Sequence, residues 1–233
     1  MRSSALFEIG RANLMSANTT EQQDITRVPG RSHYALKYFS GGRIFSYAHQ
    51  MDTVLSFEPQ RVLEIGVGAG VVAAGLRAIG IDVTTVDIQP ELEPDLVGSV
   101  LDLPLDDHAF DVALCCQVLE HLPFEQFSPA LRELRRVVTK GVVLSLPDVR
   151  PHYSISWQLP KLGRSSWTGT RPKRASEAKI KSAWESSGHY WEIGYPGVSL
   201  SHVHRAIEAA GLSIANEWRV PELAWHHFFR LER

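Results

Sequence analysis

The sequence predicts an α/β fold: a doubly wound, mostly parallel sheet with helices on both faces. Runs of β-favouring apolar residues alternate with stretches of helical periodicity, the rhythm of a sheet wound with crossover helices. Several of those runs, "FDVALCCQVL" above all, are continuously apolar, as strands buried on both faces are. The stretch "VLEIGVGAG", residues 62–70, couples a strand to a glycine turn and a helix start.

Residues 16–32 are polar and aperiodic, so an N-terminal arm over 1–32 is expected to be flexible, with one domain over 33–233. "SHYALKYF" and "RIFSYAHQMDTVLSF" have helical spacing, with Ile44, Tyr47, Ala48, Met51, Val54 and Leu55 on one face. "QRVLEI" is a buried strand ending at Glu64, and "VVAAGLRAI" is a helix that stops at Gly80. "DVTTVDI" is the second strand, ending at Asp87; "LVGSV" is a short third, and "FDVALCCQVL" a central fourth. The helix "PFEQFSPALRELRRVV" buries Phe127, Leu131, Leu134 and Val138 and leads to a fifth strand, "GVVLSLPD". An insertion over 149–192 precedes a helix at "SLSHVHRAIEAAG", capped by Ser199 or Ser201. "LSIANEWRV" and "HHFFRL" close the chain as the last two of seven strands.

Length and composition narrow the classes. A chain of 233 residues has room for one domain with a sizeable core. The net charge of -2, from 24 basic and 26 acidic residues, gives no overall pull toward nucleic acid or an anionic membrane. The two cysteines, Cys115 and Cys116, are adjacent, which fits no ordinary disulfide framework and suits a reducing, cytoplasmic setting. No apolar run approaches the roughly 18 residues of a membrane span, and the N-terminal apolar stretch is broken by Glu8.

A strand, a glycine turn and a helix N-terminus together direct free backbone N–H groups at a ligand. A dinucleotide fingerprint requires G-x-G-x-x-G, but the position three after Gly68 is Val71. The pattern is instead E-x-G-x-G-x-G, built from Glu64, Gly66, Gly68 and Gly70. The Glu64 carboxylate would oppose a pyrophosphate and favour a cationic ligand.

On these residues, the chain over roughly 44–148 resembles the class I S-adenosylmethionine-dependent methyltransferases, in particular the small-molecule branch called type 11. The resemblance implies a Rossmann-like seven-stranded sheet with an antiparallel last strand, and S-adenosyl-L-methionine as the cofactor, held by Glu64, Gly66, Gly68 and Gly70. Asp87 stands 21 positions after Gly66, as suits a carboxylate accepting from the ribose hydroxyls, and Ile88 would pack on adenine. In "LDLP", the resemblance implies Asp102 as acceptor for the adenine amino group and Leu103 as a backbone donor. After the fourth strand, Gln117 falls at the methionine end. Tyr34, Lys37, Tyr38 and Tyr47, ahead of the first strand, match a segment that closes over the cofactor; packing residues fit the same positions.

Methyl transfer from a sulfonium is an in-line displacement that needs positioning, plus a base when the acceptor is a hydroxyl. Two histidines are candidates: His121 in "LEHLP" and His189 in "SSGHYWEIG". His202 and His204 are expected to be solvated on a surface helix. The "CCQVLEHLP" segment lacks the Asn/Asp-Pro-Pro-Tyr/Phe run of exocyclic-amine methylation, and Cys116 lacks the preceding proline of a pyrimidine nucleophile. Both cysteines are expected to be small buried hydrophobes. No metal ligand set is assigned from the sequence.

The insertion is the expected substrate-side lid. Between 161 and 181 it holds Lys161, Arg164, Arg171, Lys173, Arg174, Lys179 and Lys181 against Glu177, a local charge of +6. Trp157, Trp167, Trp184 and Trp191 flank or punctuate it. Basic residues among aromatics suit an anionic small molecule, a nucleic-acid strand or a peripheral membrane contact; a solvated loop anchored by tryptophans fits as well. The leading expectation is a methyltransferase acting on O or N of a small or carrier-linked molecule. An RNA methyltransferase and a non-catalytic S-adenosylmethionine-binding protein stand beside it, and oligomeric state is not addressed by the sequence.

Overall fold

The computed structural model of the chain describes residues 31–34, 36–39, 41–159, 163–170 and 188–233. The expected arm up to residue 30, and Lys161, Arg171, Lys173, Arg174, Glu177, Lys179, Lys181 and Trp184 of the basic run, lie outside the described residues.

Two 3-10 turns, Arg31–His33 and Leu36–Phe39, lead into α1 (Gly42–Leu55). The parallel strands are β1 (Arg61–Ile65), β2 (Asp82–Asp87), β3 (Leu96–Val97), β4 (Phe110–Cys116) and β5 (Val138–Pro147). Helix α2 (Val71–Ala78) crosses between β1 and β2, and α3 (Phe127–Val137) between β4 and β5. A hairpin of β6 (His152–Leu159) and β7 (Gly163–Thr170) forms its own sheet. Helix α4 (Leu200–Ala209) then leads to β8 (Ser213–Val220) and β9 (Leu223–Glu232). The main sheet runs β3-β2-β1-β4-β5-β9-β8, with β9 antiparallel to both neighbours. That is the expected seven-stranded sheet with its antiparallel last strand.

The continuous apolar runs follow from a sheet covered twice. On one face Leu63, Ala113, Cys115, Val142 and Leu144 pack against Phe127, Leu131, Leu134, Val203 and Ile207. On the other, Val62, Val112, Leu114, Val143 and Phe228 pack against Val54, Val72 and Leu76. Each such fully buried side chain contributes about 1.5–3 kcal/mol relative to exposure. Glu64 is the exception in β1: it points with Val62 toward the α1–α2 face, yet is only 5% exposed.

Several expectations need correction. In α1 the buried positions are Ser46, Gln50, Thr53 and Val54, whereas Ile44 and Leu55 are exposed and Ala48 faces outward. The cause is polar: Ser46 Oγ lies 2.8 Å from Nδ1 of the buried His226, and Gln50 donates to Ser46. Val138 is buried as the first residue of β5, because α3 passes into that strand without a loop. His202 is exposed on the surface helix and completes a capping box with Ser199, while His204 is partly exposed and its Nε2 is 2.6 Å from Glu217. The insertion contains a β-hairpin, and of its tryptophans Trp191 is buried whereas Trp157 and Trp167 are 44% and 51% exposed.

Candidate functional site

The C-terminal ends of β1, β2 and β4 converge on the glycine turn. Gly66 donates its N–H to Val86 O at 2.9 Å, and its φ of +84° is one that glycine adopts without strain. A Cβ on Gly66 would also meet Val118 Cγ2 at 2.5 Å, so a side chain fits in neither sense. Gly70, at φ +70°, is the N-cap of α2. The ring of Tyr34 lies over Gly68, 3.5 Å from where a Cβ would stand.

Asp87 closes β2 and ties the turn to it. Its Oδ2 accepts from the N–H of Val67 and its Oδ1 from that of Gln89, both at 2.8 Å. Burial raises its pKa, against the backbone N–H groups it accepts from. Ile88 continues along the same wall. A cleft is lined by Tyr34, Gly66, Asp87, Ile88, Ser99 and His121, among others. A second lies on the other side of the turn, where Glu64, Gly68, Arg43 and His226 face Tyr38 and Tyr47. Tyr34, Gly66, Gln117 and Val118 belong to both.

Within the second cleft, Glu64 Oε2 is buried without a hydrogen-bond partner among the described residues. Burial pushes its carboxyl up to about 8, against the Ala73 N–H and the Arg77 charge. An unpaired buried carboxylate is costly, so this position calls for a proton or a cation. A ligand bearing an ammonium beside a sulfonium supplies the cation, and the residues present fit S-adenosylmethionine on this ground. Gln117 is held at φ +58°, a strained region for a side-chain-bearing residue, by bonds from its N–H and Nε2 to Ser145.

Two of the expected cofactor residues stand elsewhere. Leu103 is buried and donates its N–H to Glu133 Oε1 at 2.9 Å, so that donor is occupied. Asp102 is exposed and is not among the residues lining either cleft, because it is bridged back to Ser99. The turn after β3 instead brings Gly98, Ser99 and Val100 to the first cleft.

His121 and His189, far apart in sequence, meet edge to face with ring centroids 4.8 Å apart. The 3-10 turn Leu119–His121 positions the first, and Tyr190 N–H to Glu120 O, at 2.8 Å, docks the second. His121 Nδ1 is 3.4 Å from Gly188 O, and burial lowers its pKa to about 4. His189 Nδ1 is 2.7 Å from Glu192 Oε1. Burial pulls its imidazole down, but the Glu192 bond and the Glu120 and Glu192 charges carry it above its ordinary value. Glu120 is fully buried, its carboxyl pushed up by that burial to about 7. Glu120, Glu192, Arg43 and His226 were missed in the sequence. Only "LEH" around the already noted His121 marks any of them, since their partners come from distant segments.

Cys115 is buried as expected, whereas Cys116 is only partly buried and lines the second cleft; desolvation drives both thiols well above their ordinary range.

The family described as "Methyltransferase domain" matches residues 63–146. A ubiquinone biosynthesis O-methyltransferase of Xanthomonas euvesicatoria is 32% identical over 88 residues, 31% of this chain and 37% of that protein. An uncharacterized methyltransferase of Mycobacterium bovis is 29% identical over 127 residues, 50% of this chain and 52% of that protein. The chain thus aligns with about half or less of each curated relative. Among solved structures, the Burkholderia thailandensis 1,6-didemethyltoxoflavin-N1-methyltransferase with bound substrate and S-adenosylhomocysteine superposes with a TM-score of 0.56. It is 17% identical, covering 87% of this chain and 86% of that one. Magnesium protoporphyrin IX methyltransferase of Synechocystis, with bound S-adenosylhomocysteine, gives a TM-score of 0.54 at 15% identity, over 82% and 84% of the two chains. At these identities the structural likeness is one of fold.

Proposed function

On the premise that residues 63–146 are a methyltransferase domain of the class I, S-adenosylmethionine-dependent type, we propose that the protein transfers a methyl group to O or N of a small or carrier-linked molecule. The observation that carries this reading is the unpaired Glu64 oxygen beside a glycine turn tied to Asp87. Gly66, Gly68 and Gly70 let the backbone approach the ligand, Glu64 faces its ammonium, and Asp87 takes the ribose hydroxyls with its remaining lone pairs. Ile88 and Val100 flank the adenine, with Ser99 replacing Asp102 as the polar neighbour. Tyr34 covers the turn, and Gln117 borders the methionine end.

In the reaction, an acceptor lone pair attacks the methyl carbon while the C–S bond breaks. Its electron pair passes to sulfur, leaving the neutral thioether. His121 reaches the cleft, and its depressed pKa keeps it a neutral imidazole at pH 7, able to take the proton of a hydroxyl acceptor. His189 stands behind it. The small-molecule acceptors named for the Burkholderia and Synechocystis enzymes support a small substrate here.

Calorimetric titration with S-adenosylmethionine, S-adenosylhomocysteine and NAD tests the reading. Micromolar binding of the first two and none of the third is expected. Asp87→Ala is expected to weaken that binding by about 1–3 kcal/mol through lost charge-assisted hydrogen bonds. Binding of NAD alone, or unchanged affinity in Asp87→Ala, overturns the cofactor assignment.

A further inference from the structure

We propose that Glu120, His121 and His189 form a binding site for one divalent first-row transition ion at the acceptor end of the cleft. One ligand atom from each lies within 4.8 Å of the others. Ligands on one tetrahedral zinc stand about 3.3–3.5 Å apart, so small side-chain rotations close the set. The second observation is Glu120 itself. It is 0% exposed, and neither carboxylate oxygen has a hydrogen-bond partner among the described residues. A buried carboxylate left so is costly unless a cation meets it.

The surroundings match what a metal-binding imidazole needs. Glu192 Oε1, 2.7 Å from His189 Nδ1, orients that ring as an outer carboxylate orients a metal-bound histidine. Glu120 and Glu192 together bring two negative charges, which a divalent ion neutralises. Two imidazoles and one carboxylate favour zinc, iron or cobalt over magnesium or calcium, which prefer all-oxygen shells. The three groups are held by the main chain: Glu120 and His121 share one 3-10 turn, and Tyr190 N–H to Glu120 O locks the His189 segment against it. Because His121 also lines the cleft with Gly66 and Gln117, open coordination positions would face an acceptor oxygen. The ion would there act as a Lewis acid that orients the acceptor and lowers the pKa of its hydroxyl, and with the His121 lone pair taken by the ion this role replaces the general-base role of the ion-free histidine. That role rests on the methyltransferase reading; occupancy of the site does not.

The test uses the full chain, stripped with a chelator and then titrated calorimetrically with Zn²⁺, with Co²⁺ visible absorption reporting coordination. One equivalent of Zn²⁺ and a ligand-field spectrum are expected in the wild type. Glu120→Gln and His189→Ala are expected to weaken uptake more than about tenfold, and Glu192→Gln by about 10–100-fold as an outer-shell change. Circular dichroism identifies any variant that fails to fold, and Glu192→Gln, which leaves all three ligands in place, keeps the test decisive. No stoichiometric uptake, as a proton shared between Glu120 and His189 would give, overturns the proposal. So does uptake unchanged in all three variants, which would locate the ion on other histidines. S-adenosylhomocysteine affinity of the same samples reports separately on the cofactor reading.

Discussion

At pH 7, a carboxyl whose pKa burial has raised to about 8, as in Glu64, carries its proton about nine times in ten. A ligand ammonium placed against the Glu64 oxygens favours the charged form, so binding expels that proton. The complex holds fewer protons than the free protein, so affinity rises with pH below about 8. Between pH 6 and 7 the gain is expected to be about tenfold, one pKa unit's worth of free energy. Titrations with S-adenosylhomocysteine at pH 7 in two buffers of different ionisation enthalpy measure the release. Close to one proton is expected for the wild type and close to none for Glu64→Gln. A wild type that releases none would mean that Glu64 does not meet the ligand's cation. Glu64 was legible as a charge-bearing position because its neighbours in the sequence are also its neighbours in space. The surroundings of Asp102 and Leu103 were not legible, for the opposite reason. Their contacts are made by Ser99 and by Glu133 on α3, and nothing in "LDLP" signals either.

The elements around the site depend on one buried charge at the end of β5. Asp148 accepts from Arg150, Arg219 and His227 and is 1% exposed, so it joins the root of the insertion to β8 and β9. Although burial opposes ionisation, the bonds from His227, Arg150 and Arg219 outweigh it and hold the carboxyl well below the usual range. Asp148→Asn leaves the buried Arg219 without its counter-charge and is expected to cost about 3–5 kcal/mol. A carboxyl with a depressed folded pKa stabilises above its unfolded value of about 3.9 and loses that contribution as pH falls through the folded one. The stability gap between wild type and variant in urea is therefore expected to be full at pH 6 and to begin shrinking below about pH 4. A gap independent of pH down to 2 would assign the loss to packing rather than charge. The parallel core was readable because continuous apolar runs have few other uses. The β6–β7 hairpin was not, because its residues have little core to face: Tyr153, Ile155, Trp157 and Trp167 are all exposed. Basic residues nearby made the same stretch resemble a loop.

Across the whole molecule, the described residues divide into parts that a ligand would bind together and a part it would leave alone. The ends of β1, β2 and β4, the Gly98–Val100 turn and Tyr34 all border the two clefts at the glycine turn. The hairpin borders a different groove, in which Ser165 and Ser166 face Phe45, Ala48 and Leu55 of α1. The sheet order and the glycine corner were legible because each follows from local pattern. The pairing of Glu120 and His121 with His189 was not, since it depends on the chain returning after the insertion to bond Tyr190 to Glu120. This division predicts the pattern of ligand protection. S-adenosylhomocysteine at a hundred times its Kd stabilises the native state by about 2.7 kcal/mol, and local openings that break the site are suppressed by up to that amount. Hydrogen exchange is expected to slow at 66–70, 87–89, 98–100 and 117–121, and to stay unchanged through 152–159 and 163–170. Slowing confined to the first set places ligand binding at the strand ends alone. Equal slowing in the hairpin would join it to the cofactor site and overturn that separation.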